Sequence, residues 1–399
     1  MKQYPLMPAD LYMPKRGYET WAVIACDQFT SEPAYWEEVE KTVGDKPSAL
    51  HITLPELYLS GNVEGRIAAV NATMEQYLQD GVFEVKENAM VYVERVGSNG
   101  HIRHGIVGAI DLEWYDYHIG SKLPIRATEQ TVLERIPPRL QIRKNAPLEA
   151  PHVLLLVDDP GQTVVEPLKN KQDKFEKAYD FDLMMGGGHI TGYYIDLQTQ
   201  THIGEALEAL KNKQNGMVFA VGDGNHSLAT AKESYLANKN PAARYALVEV
   251  VNIHDEAITF EPIYRVLFNV RAKQLLDALK QACNGGYQGA DAHRYLCVTP
   301  QGTEEISLQP TSKLPVGTLQ TFLDAYLQEH REVVIDYIHG EEAVYALCQK
   351  ENTLGFLFAG MKKDELFDAV EQDGSLPRKT FSMGQARDKR YYIECKKII

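Results

Sequence analysis

Short apolar runs and helical stripes alternate along the chain. An apolar run at 21–26 predicts a strand, and Pro33 after the following polar turn predicts the first turn of a helix. At 63–79 the apolar residues recur with helical spacing. Two predicted strands at 82–96 and 101–113 flank an Asn-Gly pair, which indicates a hairpin.

The same alternation continues through the rest of the chain. A continuous apolar run at 153–157 predicts a buried strand, whereas the pattern at 162–183 predicts a helix. Later segments predict strands at 190–195, 217–221 and 354–359, helices at 204–213, 271–282, 318–330 and 341–351, and a hairpin at 295–308. Because strands and helices alternate, we predict a mixed α/β fold.

The length of 399 residues predicts more than one structural unit or one large elaborated fold. We place a boundary near residue 268, which gives an N-terminal and central α/β region at 1–268 and a C-terminal α/β region at 269–399. The tail of the second region is a candidate to complete a site in the first.

Composition indicates a soluble small-molecule enzyme. A net charge of −14 argues against general binding to nucleic acids or to anionic membranes, since phosphate binding needs a positive field. No apolar run reaches the roughly 18 residues that a membrane span needs, and the N-terminus lacks the apolar stretch of a signal peptide. Five scattered cysteines are typical of reduced thiols, so we predict a cytoplasmic protein.

The segment VGDGNHSLATAKESY at 221–235 is the main candidate for chemistry. A strand runs into Gly222-Asp223-Gly224, and a helix is predicted to begin near Ser227. Such a junction presents unpaired backbone amides and the positive end of the helix dipole, and glycine allows close backbone approach. Asp223 is a candidate metal ligand or proton acceptor, and His226 a candidate phosphate ligand or proton shuttle. The alternative is that Asp223 and Ser227 only cap the helix.

Three blocks of this sequence together resemble a prokaryotic domain-of-unknown-function family, number 1015. The blocks are DGNHSLATAK, RATEQTVLERIPPR and LPRKTFSMGQARDKRYYIECKKI, and the resemblance runs from about Ala22 to Ile398. The family's motif in turn looks like the phosphate-binding motif of the ParB-like superfamily, which includes sulfiredoxin and the free L-serine kinases. The resemblance implies a ParB/sulfiredoxin-like core elaborated with a C-terminal α/β portion. It also implies transfer of a phosphoryl group from ATP or ADP, with Mg²⁺, to a small hydroxyl-bearing substrate.

The resemblance assigns site residues position by position. Asp223, Gly224 and His226 match the motif, whereas Asn225 replaces a histidine and Ser227 stands where the superfamily has a phosphate-binding arginine. The bidentate anion clamp that arginine provides is therefore missing.

Basic residues of the other two blocks are candidates to replace that arginine, with surface salt bridging as the alternative. They are Arg126, Arg135, Arg139, Arg143, Arg378 and Lys379. The candidate bases or magnesium ligands are Asp27, Glu32 and Glu129. Cys26, next to Asp27, is interpreted as a buried structural residue.

Two functions remain open at this point. The first is a phosphotransferase in which Asp223, Asp27, Glu32 and His226 act in catalysis while Gly222, Gly224, Asn225, Ser227 and the basic residues bind phosphate. The second is a regulatory protein that binds a nucleotide or phosphometabolite without turnover. A partition-type DNA-binding function is disfavoured by the net charge.

Overall fold

The structure is a computed structural model that describes residues 3–59, 62–98, 100–129 and 136–399. The chain forms two compact units, Met1–Ile258 together with Gly384–Ile399, and Thr259–Met383. Helices and sheets occur in both, so the predicted mixed α/β fold is confirmed. The first unit ends ten residues before the predicted boundary at 268, because the strand that follows pairs within the second unit.

The first unit is built around a nine-stranded mixed sheet. Among the described residues, the first unit has thirteen strands up to residue 252, and nine of them form this sheet. The thirteen are β1 (Ala9–Pro14), β2 (Val23–Ile24), β3 (Phe83–Ala89), β4 (Val91–Val96), β5 (Ile102–Asp111), β6 (Tyr115–Asp116), β7 (Ile125–Arg126), β8 (Leu148–Glu149), β9 (Leu154–Val157), β10 (Glu176–Asp182), β11 (His189–Tyr194), β12 (Phe219–Asp223) and β13 (Tyr245–Asn252). The strand order in the large sheet is β10-β11-β4-β5-β13-β9-β12-β7-β6. The pairs β13–β9, β12–β7 and β6–β7 are parallel, and the other neighbours are antiparallel.

Helices cover both faces of this sheet. They are α1 (Tyr18–Trp21), α2 (Pro33–Val43), α3 (Val63–Gln79), α4 (Ile136–Lys144), α5 (Leu197–Lys213) and α6 (Asn225–Asn238). Successive residues of β5 point to opposite faces, so Val107 packs in the core that includes α3, and Ile106 in the core that includes α5 and α6. The helical stripe predicted at 63–79 is α3, with Ile67, Val70 and Met74 buried.

One predicted helix is wrong. Residues 162–183 contain short 3₁₀ turns and then β10, which pairs with β11 in antiparallel register. Tyr179 and Phe181 are buried on alternate positions of β10, and this period of two is the pattern of a strand.

The second unit contains a six-stranded sheet with four helices among its described residues. Its strands are β14 (Phe260–Phe268), β15 (His293–Thr299), β16 (Gly302–Leu308), β17 (Val334–His339), β18 (Thr353–Phe358) and β19 (Phe381–Met383), and its helices are α7 (Ala272–Ala282), α8 (Pro315–Glu329), α9 (Glu341–Leu347) and α10 (Glu365–Asp373). The hairpin predicted at 295–308 is β15–β16.

The C-terminal tail returns to the first unit through two short strands, β20 (Tyr391–Tyr392) and β21 (Lys396–Lys397). β20 pairs with β2 and β21 pairs with β8, both antiparallel. The buried Trp21 indole donates to the carbonyl of Ile393 at 2.9 Å. The tail is therefore part of the packed structure of the first unit.

Candidate active site

The glycine bend predicted at 222–224 joins β12 to α6. Gly222 lies at an irregularity in the pairing of β12 with β9, and a Cβ there would stand 2.8 Å from Leu156 Cγ. Gly224 is the N-cap of α6 with φ of 80°, and a Cβ there would stand 3.1 Å from Val153 Cα. Both positions therefore favour glycine because β9 and the preceding Val153 pack closely against the bend.

A left-handed conformation costs an L-residue about 1–2 kcal/mol. We expect Gly224→Ala to lower the free energy of unfolding by more than this, because the added Cβ also meets Val153. Gly216 is the matched control, with φ of 85° and no atom within 4 Å of its built Cβ. Urea unfolding of the two variants measures the difference. Equal losses at the two positions would contradict a packing role for Gly224.

Asp223 lies at the carboxyl end of β12 and is held by two contacts. Its Oδ1 accepts a hydrogen bond from the backbone N–H of Gly224 at 2.9 Å, and its Oδ2 lies 3.2 Å from the Nζ of Lys389. Both side chains are less than one-fifth exposed, at 19% for Asp223 and 16% for Lys389. A cation from the C-terminal tail thus stands beside the bend.

Two arginines of the large sheet fix the position of Lys389, the buried Arg95 and the half-buried Arg103. Arg95 of β4 donates to the backbone carbonyls of Arg387, Asp388 and Lys389. Arg103 of β5 also donates to the carbonyl of Asp388, at 3.0 Å. The tail is therefore tied to two strands of the large sheet immediately before Lys389.

A second buried cluster follows directly. Arg390 Nε donates to Glu249 Oε2 at 2.9 Å and its NH2 to Glu394 Oε2 at 2.7 Å. Arg103 NH2 lies 3.1 Å from the other oxygen of Glu249. Burial opposes ionisation of Glu249, but the two guanidinium charges hold its pKa below the usual value. The backbone on both sides of Lys389 is thus anchored by charged hydrogen bonds.

Asp27 and His152 lie close to each other near the first turn of α6. Asp27 Oδ2 stands 3.9 Å from His152 Nε2, and the same ring nitrogen stands 3.4 Å from Ser227 Oγ in the first turn of α6. Burial raises the pKa of Asp27, but the facing His152 ring, a hydrogen bond from Gln28 and the charge of Lys389 together lower it below its usual value. Asp27 is therefore a carboxylate at neutral pH.

Tyr392 orients the His152 ring. The backbone N–H of Cys26 donates to the phenol oxygen of Tyr392 at 3.1 Å, and that oxygen lies 2.9 Å from His152 Nδ1. The phenol oxygen thus links the Cys26 backbone to the Nδ1 edge of the ring, and this contact leaves Nε2 facing Asp27 and Ser227. Burial also raises the pKa of the Cys26 thiol to about 11, in keeping with a structural role for Cys26.

The first turn of α6 begins at Asn225, two residues earlier than predicted. Gly224, rather than Asp223 or Ser227, is the N-cap, so the capping alternative does not describe either side chain. The Asn225 amide is bonded to Thr128, with its Oδ1 accepting from the Thr128 N–H at 3.2 Å. His226 is half-buried in the same turn. The amides of this turn carry the positive end of the helix dipole.

The other predicted site residues lie in varied surroundings. Arg126 is buried in β7, where its Nε donates to the carbonyl of Leu123 at 3.0 Å. Arg139 pairs with Glu56, and Arg143 pairs with Glu149. Both arginines are thus in ion pairs, but Glu149 is buried and the other three side chains are less than one-quarter exposed, so these are not the surface salt bridges of the alternative.

Two further predicted residues, Glu32 and Lys379, have no contact with Asp223 among the residues that the structure describes. Glu32 is exposed and precedes the first residue of α2. Lys379 belongs to the second unit, where its Nζ lies 5.9 Å from the centre of the Tyr337 ring. Arg135 lies outside the described residues. The site roles of all these residues stay predictions.

The described residues contain no group of three or more His, Cys, Asp or Glu side chains able to hold a metal ion. Mg²⁺ in nucleotide enzymes is usually held by one or two carboxylates plus the phosphates of the substrate. Asp223 fits such a site as a single ligand, since each of its oxygens has one partner among the described residues and a carboxylate oxygen can accept more than one contact.

A cavity of about 160 Å³ borders this cluster. Cys26, His152, Ser227 and Tyr392 form the part of its wall that it shares with the site. The remaining wall comes from α3, α4, α6, β13 and the segments 52–54 and 146–153.

Among the described helices, all are too short or too polar to cross a lipid bilayer.

Three residues of this site were not singled out by the sequence. Lys389 lies in the tail block, where the sequence indicates Arg378 and Lys379 as the basic candidates. His152 directly precedes the apolar run at 153–157, and Tyr392 has no signal apart from the resemblance of the tail.

Comparison with known proteins gives a family but no curated relative. No curated protein matches the chain. Solved structures that match include a conserved hypothetical protein from Pyrococcus furiosus (11% identity, 73% of this chain and 95% of that chain, TM-score 0.40) and a free serine kinase in complex with AMP (11% identity, 73% and 92%, TM-score 0.42). A third is SbnI with C-terminal truncation from Staphylococcus aureus (10% identity, 70% and 82%, TM-score 0.38). The family described as "Protein of unknown function (DUF1015)" matches residues 7–336, and the chain belongs to this family.

Proposed function

We propose that this protein transfers a phosphoryl group from ATP or ADP to the hydroxyl of a small metabolite. The observation that carries the proposal is the convergence of Asp223, Lys389, Asp27 and His152 at the N-terminus of α6. Phosphoryl transfer needs positioned positive charge and an acceptor for the hydroxyl proton more than it needs covalent chemistry. The cluster contains both.

The roles of the groups follow from their charges. The amides at the start of α6 would bind phosphate oxygens, and the Lys389 ammonium would neutralise charge on the group in transfer. The Asp27 carboxylate would accept the proton of the acceptor hydroxyl as the new P–O bond forms and the bond to the leaving nucleotide breaks. The His152 N–H would hold the acceptor or Asp27 in place.

Asp223 would supply one oxygen to a magnesium ion that arrives with the nucleotide. The ion itself supplies charge neutralisation between the phosphates of the donor. Asp223 also holds Lys389 at the bend, so the same carboxylate would position both cations.

Asp223→Asn tests the proposal in an assay that couples ADP or AMP formation to a panel of hydroxy amino acids and hydroxy acids. We expect turnover by the wild type and a loss of about 10²-fold or more in the variant, in the range found when one stabilising electrostatic contact is removed. Asp158→Asn is the matched control because Asp158 is a partly exposed aspartate ion-paired with His254 at 2.7 Å. We expect its activity to stay within twofold of the wild type.

Binding without turnover is the competing function. If calorimetry detects ATP or ADP binding that Asp223→Asn abolishes, while the wild type forms no product with any acceptor, the protein is a nucleotide-binding regulator. If the wild type neither binds nucleotide nor turns over, both functions are contradicted.

A further inference from the structure

The cavity beside the catalytic cluster has an apolar interior. Ile52, Leu54 and Met74 face it from one side, and Ile142, Leu228 and Ala231 from another. Its volume of about 160 Å³ is close to that of an engineered cavity of about 150 Å³ that binds benzene. The space is therefore sufficient for one aromatic ring or a branched aliphatic group.

The charged side chains of the wall are held in ion pairs, although the Arg143 Nε is buried with no hydrogen-bond partner among the described residues. Arg139 pairs with Glu56, and Arg143 pairs with Glu149, which is itself buried. Burial raises the pKa of Glu149, but the charge of Arg143 lowers it below the usual value. The Glu149 carboxylate therefore stays ionised beside the guanidinium.

The two threonines of the wall are bonded to their own backbone. Thr53 Oγ1 donates to the carbonyl of Ala49 at 2.8 Å, and Thr230 Oγ1 donates to that of His226 at 2.7 Å. A nucleobase edge buried here would lose its hydrogen bonds to water without full replacement, which costs free energy. An apolar group has no such cost.

The cavity and the cluster share a wall. His152 and Ser227 both line the cavity. The Nε2 atom of His152 lies near Ser227 Oγ and Asp27 Oδ2, and it belongs to the proposed reaction site. A molecule with its hydroxyl at Asp27 would therefore have its remaining atoms beside the part of the cavity wall that His152 and Ser227 form.

On this basis, and resting on the proposed function, we propose that the phosphoryl acceptor is a hydroxy metabolite with an apolar group of about one ring, which binds in this cavity. The cavity would then select the acceptor, because burying an apolar group discriminates between acceptors that share the same hydroxyl. Discrimination by such pockets is about 10- to 200-fold for a single methylene group.

L-Serine and L-threo-phenylserine are the probes, since they share the amino acid head and the hydroxyl and differ by a phenyl ring. We expect kcat/KM for phenylserine to exceed that for serine by at least tenfold. Ala231→Leu fills the cavity from α6 and should remove this preference, whereas Ala237→Leu, at an exposed position of the same helix, should retain it. Ala246→Val adds less volume from β13 and serves if the leucine variant does not fold.

Equal kcat/KM values for the two acceptors, or a preference that survives the filling variants, would overturn the inference while leaving phosphotransfer intact. A rise in KM for the nucleotide instead of the acceptor in Ala231→Leu would assign the cavity to the nucleobase and also overturn it.

A binding measurement separates this inference from the proposed function. Saturation-transfer NMR with benzyl alcohol reports occupation of the cavity without turnover. If no acceptor is phosphorylated, the phosphotransferase is contradicted. Benzyl alcohol binding that Ala231→Leu abolishes and Ala237→Leu retains would still support an apolar ligand site, and no binding to the wild type would overturn it.

Discussion

Arg390→Met is expected to lower the free energy of unfolding by about 3–5 kcal/mol, which is the usual cost of removing one partner from a buried ion pair. Arg390 is 5% exposed and binds Glu249 and Glu394, both buried, so the substitution leaves two carboxylates without their shared cation. Urea unfolding at pH 7 measures the loss.

Arg387→Met is the matched control for this substitution. Arg387 is exposed three residues earlier in the tail, and we expect a change within about 0.5 kcal/mol. Similar losses in the two variants would show that Arg390 contributes no more than a surface arginine.

The same cluster predicts a pH dependence of stability. The pKa of Glu249 is lower in the folded protein than in the unfolded chain, where it is about 4.3. Its contribution is therefore complete above the unfolded value and is lost as the pH falls through the folded value. This contribution is reduced in Arg390→Met. The difference in the free energy of unfolding between the wild type and Arg390→Met should therefore shrink below about pH 4.

The second large expected effect concerns catalysis. Asp27→Asn should reduce kcat by about 10²–10⁴, the range found for the loss of a general base, because an amide cannot accept the hydroxyl proton. Binding of ATP or ADP should change by less than about threefold, since the residue is not assigned to the phosphates. Steady-state kinetics and calorimetry measure the two effects.

Glu32→Gln is the informative comparison, because the sequence indicates both carboxylates as candidate bases. If Glu32→Gln inactivates the protein and Asp27→Asn does not, the base is Glu32. For the wild type, the low pKa of Asp27 predicts that activity persists above the usual aspartate pKa of about 3.9 and falls only in more acidic solution.

The local elements of the fold were predictable where one period dominates. The stripe at 63–79 is α3, and the predicted hairpin is the antiparallel pair β4–β5, although Asn99 itself lies outside the described residues. The error at 162–183 has a physical cause, since Tyr179 and Phe181 become buried only when β10 pairs with a strand that follows it. The order of apolar and polar residues within one segment does not show which strand that segment will pair with.

The candidate site was predictable in its strand-to-helix junction and not in its distant partners. The glycines and Asp223 are adjacent in the sequence, so their bend follows from backbone preferences. His152, Lys389 and Tyr392 reach the junction through the sheet and the returning tail, over 71 to 169 residues of chain. Propensity and spacing carry no information on such contacts.

The ion pair between Asp223 and Lys389 makes the charge of the proposed site dependent on tertiary folding. Lys389 follows Asp223 by 166 residues, and its backbone is held by Arg95 of β4 and Arg103 of β5, about 290 residues earlier. Any change that releases residues 387–390 from these two strands therefore removes the ammonium group from the bend, even when β12 and α6 keep their own structure.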